Sequence, residues 1–201
     1  MLARHNGGVN ADPPSPNDGV PTARTGEFGP LLIGPLPVWP PIVLAPMAGV
    51  TNAPFRRLCR RFGAGLYVSE MVTARALVEG NQRSRRLAGF ADDESPRSLQ
   101  LYGTDPQAIG AAVELAVGPG AVDHIDLNFG CPAKKITRHG GGAAIPVKRQ
   151  LLAAIVRTAV RAAGDVPVSI KFRKGIDADH TTYLDAGRIG RDEGAVAVAL
   201  H

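Results

Sequence analysis

Cysteine is nearly absent: Cys59 and Cys131 are the only two in 201 residues, and their spacing fits no metal-ligand motif. That excludes a disulfide framework and a zinc site, predicts no bound metal, and fits a reducing compartment. Long apolar runs are absent too. None approaches the roughly 18 residues of a membrane helix, and the N-terminal stretch lacks the apolar core of a secretory signal. A cytoplasmic protein with no membrane partner is the simplest expectation. Lysine is also scarce, with 5 Lys against 18 Arg in a chain whose net charge is +5. Guanidinium groups grip phosphate with two parallel hydrogen bonds, so the excess suits phosphate recognition, although arginine-rich usage can also reflect genome composition.

What is present is a core. With 44% hydrophobic residues, the chain can bury one sizeable domain but not two large ones. Residues 1–33, rich in Pro, Gly, Asn and Asp, read as a disordered leader, and 34–201 as the domain. In that domain, short apolar runs alternate with helical stretches. "PIVLAPM" (41–47) precedes "NAPFRRLCRRFG", in which Phe55, Leu58, Cys59 and Phe62 share one face while Arg56, Arg57, Arg60 and Arg61 face outward. "LYVSEM" (66–71) precedes "TARALVEGNQRSRRLAGF", and "RSLQLYG" (97–103) precedes "DPQAIGAAVELAV", with Asp105 as N-cap and Pro106 in the first turn. "DHIDLNFG" (123–130) leads through a glycine loop to the amphipathic "VKRQLLAAIVRTAVRAAG". "VPVSIKFRKG" (166–175) precedes "TTYLDAGRIGRDEG", and "AVAVALH" (195–201) closes the chain.

Repeated β-α units with strands apolar on both sides predict a parallel α/β sheet, either doubly wound or a (β/α)8 TIM barrel. Met47, Glu70, Gln100, Asn128, Lys171 and His201 each stand near the C-terminal end of a different strand. A barrel gathers those ends on one rim, where its active sites are built, whereas a doubly wound sheet concentrates its site at one switch point. The barrel is therefore favoured. It is expected to be incomplete, with about six of eight strands and a final strand lacking a neighbour, which predicts a fragment.

Several patterns carry chemistry. Cys131 follows a strand and is backed by Lys134 and Lys135, between the turn residues Gly130 and Pro132. Such a thiol can transfer a proton or act as a nucleophile, although an isolated cysteine is more often an inert filler, as Cys59 on its helix is expected to be. "HGGGAA" (139–144) matches neither the P-loop nor the dinucleotide fingerprint and reads as a tight loop. Lys171 and Arg173 sit two apart on a strand and so point the same way, into the barrel, where an unpaired cation usually means a ligand. "APMAGVTNAPFR" makes a small-residue turn that leaves Met47 over the barrel mouth, where a flat aromatic ring could lie, although such a pattern standing alone is more often an ordinary Gly/Pro strand-to-helix turn.

Taken together, "APMAGVTNAPFR", "VSEMV", "LQLYG", "IDLNFGCPAKKI", "GGGAA", "IKFRKG", "TYLDAGR" and "ALH" resemble the flavin-dependent tRNA-dihydrouridine synthases in order and spacing, most of all the bacterial branch. The similarity runs from about Gly34 to His201. It implies an oxidoreductase in which NADPH (or NADH) reduces FMN, and hydride then passes to carbon 6 of a tRNA uracil while an acid protonates carbon 5. Cys131 matches the proton donor. Pro46, Met47 and Ala48 match the segment under the flavin ring, Gln100 the amide beside it, Lys171 the lysine at its pyrimidine edge and His201 its flanking histidine. Asn128 and Arg173 match residues that hold the uracil, which must leave the tRNA stack. A monomer is expected, and the resemblance further implies a chain without the two last barrel units and the C-terminal helical domain of its relatives. A barrel oxidoreductase acting on a free pyrimidine with FMN, and a non-enzymatic truncated remnant, are the alternative readings; "NFGCPAKK" and the arginine excess favour tRNA.

Overall fold

The computed structural model describes residues 24, 26–118, 120–177 and 179–201. Most of the expected leader, 1–23 and 25, lies outside the described residues. Strand β1 (Leu31–Ile33) nevertheless pairs antiparallel with β2 (Leu36–Val38), so ordered chain begins before residue 34. The reason is apolar: Ile33 and Val38 are buried against Leu66 and Val68, at the N-terminal end of the main sheet.

The main sheet is wholly parallel. Its path runs β3 (Val43–Leu44), β4 (Leu66–Val68), β6 (Arg97–Tyr102), β7 (His124–Phe129), β8 (Val168–Phe172) and β9 (Ala197–Leu200), with β5 (Val72–Thr73) paired to the end of β6. This sequential order has no switch point, so the doubly wound alternative is excluded. The sheet curls into a half-barrel, an incomplete TIM barrel with six strands in its wall. Helix α1 (Ala53–Arg60) follows β3; α2 (Ala74–Val78) and α3 (Gln82–Leu87) follow β5. The helical run expected over 73–90 is thus divided, because Gly80 turns with φ +79° and Asn81 caps a new helix through Ser84 N. Helices α4 (Pro106–Val117), α6 (Arg149–Ala163) and α7 (Tyr183–Asp192) complete the outer layer, while the short α5 (Lys134–Thr137) lies in the loop after β7. Asp105 caps α4 as expected, accepting from Gln107 N at 3.0 Å.

The core lies outside the sheet, not inside the curl. Leu99, Leu101, Ile125, Leu127, Ile170 and Phe172 point at the helices, where α6 contributes Leu152, Ile155, Val156 and Ala159. Gly110 lets α4 and α6 approach: a Cβ there would meet Thr158 Cγ2 at 2.7 Å. The alternating positions, Ser98, Gln100, His124, Asp126, Ser169 and Lys171, are polar and line the barrel interior. The central strands are therefore not apolar on both sides, as expected from sequence. They follow the period of two, and hydrogen bonding within the interior row makes the polar face tolerable.

Helix α1 departs from its predicted facing. Arg56 is fully buried, while Leu58 and Phe62 are about half exposed. Its guanidinium reaches Glu94 through Nε and Nη2 (3.0 Å for the latter), Thr51 O through Nη1 (2.8 Å) and Gly89 O through Nη2 (3.1 Å). Phe90 lies against the cation, its ring centroid 5.1 Å away. So many fixed acceptors around one planar cation outweigh its desolvation and turn the helix to that face. Removing one partner strands the other. Glu94→Ala should cost about 3–5 kcal/mol of stability, whereas Arg157→Ala, which breaks the half-exposed surface pair Arg157–Glu193, should cost about 1 kcal/mol or less; chemical denaturation of both variants measures the contrast.

Candidate active site

At the C-terminal ends of the strands, one cavity of about 530 Å3 collects every residue expected of the site. Pro46, Met47 and Ala48 enter from the turn after β3, Gln100 from β6, Asn128 and Cys131 from the end of β7, Lys171 and Arg173 from β8, and His201 from just beyond β9. The cavity also takes Met71, which sequence reasoning passed over.

The Cys131 loop is held from both sides. Asn128 Oδ1 accepts from the backbone N–H groups of Gly130 (3.1 Å) and Cys131 (3.0 Å), and Arg173 Nε donates to Gly130 O at 2.8 Å. From below, Ala143 N donates to Cys131 O at 3.0 Å. Gly142, at φ +56°, passes so close to that carbonyl that any Cβ would collide with it. The "GGG" run is thus a prop for the cysteine turn, in keeping with its reading as a tight loop. Cys131 is partly exposed and Cys59, on α1, is also a free thiol.

A hydrogen-bonded row crosses the barrel floor beneath this loop. Asn128 Nδ2 donates to Gln100 Oε1 (2.9 Å), Gln100 Nε2 donates to Asp126 Oδ2 (2.7 Å), and Ser169 Oγ donates to Asp126 Oδ1. The strand register requires it, since Gln100, Asp126 and Ser169 are direct neighbours on β6, β7 and β8. Asn128 and Lys171 pair one row higher. Asn128 is therefore engaged with the loop and with Gln100, while the terminal nitrogens of Arg173 have no protein partner among the described residues.

The electrostatics follow from burial. Asp126 is driven up from 3.8 to about 6 by desolvation, against the pull of Ser169, Gln100 and Lys171. Lys171 is lowered by burial, with Asp126 opposing and Arg173 assisting. The charges of Arg173 and Lys171 lower His201, favouring its neutral imidazole. One level down, His124 donates or accepts at Nδ1 with Ser98 Oγ (2.8 Å), leaves Nε2 without a partner among the described residues, and is lowered by burial to about 4.

The turn beneath Met47 is also fixed from inside. Thr51 Oγ1 accepts from Met47 N (2.9 Å), and Glu70 accepts from Gly49 N. Glu70, expected on the rim, thus serves this turn and does not line the cavity. Asp126, Ser169, Thr51, Arg56 and Glu94 are the supporting residues that sequence reasoning missed. For Asp126 and Ser169 a signal existed: polar residues at every second position of otherwise apolar strands.

Residues 43–201 match the family model described as Dihydrouridine synthase (Dus). A protein of Mycobacterium tuberculosis (strain H37Rv) named "Probable tRNA-dihydrouridine synthase" is 56% identical over 180 residues, covering 85% of this chain and 46% of its own length. One of the same name from Mycobacterium leprae is 52% identical, covering 79% of this chain and 49% of its own length. The "tRNA-dihydrouridine synthase B" of Xanthomonas campestris is 44% identical, covering 84% and 50%. The chain spans about half the length of the curated relatives it matches.

The two buried titratable groups of β7 have opposite consequences. Asp126 holds its proton to a higher pH when folded, so its contribution to stability is present below about 4 and is lost as pH rises through about 6. His124 is depressed, so its contribution is present above 6.5 and is lost as pH falls through about 4. Between those limits they oppose each other. Asp126→Asn should give a denaturation midpoint that rises with pH across this window, and His124→Gln one that falls; equal slopes in both variants would overturn the assignment.

Proposed function

Because the chain belongs to the dihydrouridine synthase family, we propose that its cavity reduces the carbon 5–carbon 6 double bond of a uridine in tRNA, with FMN as cofactor, NADPH or NADH as reductant and Cys131 as proton donor. The observation that carries this reading is the convergence of all the expected residues, from five strands, on one cavity. A tRNA substrate fits a cytoplasmic setting, and no described helix is long and apolar enough to cross a membrane.

The residues suit a flavin. Pro46, Met47, Ala48 and Met71 offer an apolar wall, Gln100 an amide held in one orientation by Asp126, and Lys171 a half-buried cation. His201 stands close enough to Lys171 and Arg173 to feel both charges. When bound, FMN reduced by the nicotinamide cofactor supplies the hydride for carbon 6 of the uracil. Cys131 gives its Sγ proton to carbon 5, so that the double bond becomes a saturated bond, and the thiolate regains a proton from solvent. Arg173 orients the uracil carbonyls with the guanidinium nitrogens left over from its bond to Gly130 O. Asn128 contributes by holding the Cys131 turn, with its amide also at the cavity wall.

Two measurements test this. Protein mixed with FMN and freed of excess should retain yellow flavin absorbance; colourless protein would argue for the remnant reading. Cys131→Ala should leave flavin reduction by NADPH unchanged and lower dihydrouridine formation in tRNA by about 100-fold or more, the usual range for a lost general acid. Normal tRNA product from that variant would remove Cys131 from the role, and turnover of free uracil in preference to tRNA would favour the free-pyrimidine reading.

A further inference from the structure

A second cavity, of about 370 Å3, lies on the same rim, on the far side of α5 from Cys131. Its two cations come from separate elements, Arg75 from α2 and Lys135 from α5, and the loop that follows α5 adds the imidazole of His139. Lys135 has no carboxylate partner among the described residues. Arg75 meets Asp105 only through a 3.4 Å exposed contact, and Asp105 is also engaged in capping α4 through Gln107 N. His139 Nε2 accepts from Arg138 Nε (3.2 Å), which places the ring hydrogen on Nδ1 as a donor. Thr73 Oγ1 donates to Tyr102 OH at 2.7 Å, leaving the phenolic hydrogen free to donate as well. The cavity is thus rich in donors and cations and poor in acceptors, apart from the one engaged carboxylate.

That chemistry recognises an anion with several oxygens. Since the base to be reduced enters on the other side of a four-residue helix, the nearest such anion belongs to the same polynucleotide. Building on the function proposed above, we infer that this cavity is a subsite for a backbone phosphate of the RNA next to the target uridine, held by Lys135 and Arg75 with His139 and Tyr102 as further donors. Held there, the phosphate fixes the strand on one side of α5 while the base lies against Cys131 on the other.

The test is tRNA binding to the 201-residue chain, followed by fluorescence anisotropy over a series of salt concentrations. Lys135→Ala and Arg75→Ala should each weaken binding about threefold to tenfold. Each should also reduce the slope of log affinity against log salt by about 0.7 to 0.9, the signature of one lost phosphate contact. Lys135→Arg should restore both. Arg191→Ala, at the C-terminal end of α7 and so at the opposite end of the barrel, should change neither. Affinity for NADPH, measured by quenching of its fluorescence, should stay constant throughout. Unchanged tRNA affinity and slope in the Lys135 and Arg75 variants, or a loss of NADPH affinity in their place, would overturn the subsite. If that happens while product formation still depends on Cys131, only the subsite fails; a chain that binds no tRNA at all would overturn it together with the function proposed above.

Discussion

Asp126 is the constraint around which the site is organised. A carboxylate buried on the barrel floor must find donors, and the parallel register supplies Gln100 on one side and Ser169 on the other. Once Gln100 gives its nitrogen to Asp126, its oxygen is left for Asn128, whose own oxygen is then left for the Cys131 turn. Each amide is oriented by the one beneath it. Lys171, a row above Ser169's neighbour, is the cation that keeps this acceptor from being a bare buried charge. The cavity is therefore built upward from the sheet, and its loops inherit their conformation from the strands.

A second buried carboxylate does comparable work at the sheet's edge. Glu94 fixes Arg56, Arg56 grips the carbonyl of Thr51, and the Thr51 hydroxyl receives Met47 N. Since Met47 lines the cavity, an ion pair outside the barrel sets the height of its apolar wall. Such chains of fixed dipoles supply positions that need no rearrangement when a ligand arrives.

Much of this was legible in the sequence. Lys171 and Arg173 stood out as paired cations on one face of a strand, Cys131 drew its role only from the family resemblance, and the alternation of apolar runs with amphipathic stretches gave the parallel barrel units. What sequence patterns obscured was the supporting layer. Helical periodicity put Arg56 among the outward arginines, because period alone treats every guanidinium as solvent-seeking and cannot see a glutamate 38 positions away. The strands looked apolar on both sides because Ile125, Leu127 and Phe129 dominate their character, although His124, Asp126 and Asn128 interleave with them. The hairpin at Leu31–Ile33 was hidden by its setting after a run rich in Pro and Gly. Long-range partnership, not local preference, decided each of these.

The Asn128 clip has a further consequence. Because its side chain ties Gly130 and Cys131 directly to the last turn of a strand, the thiol is referenced to the sheet and not to the span that follows it. At the far end of the span, Gly142 slips under the Cys131 carbonyl and Ile136 packs against it, so the turn is pinned at both of its ends. The place of the thiol is thus set by strand register, one step removed from the conformation of the loop that carries it.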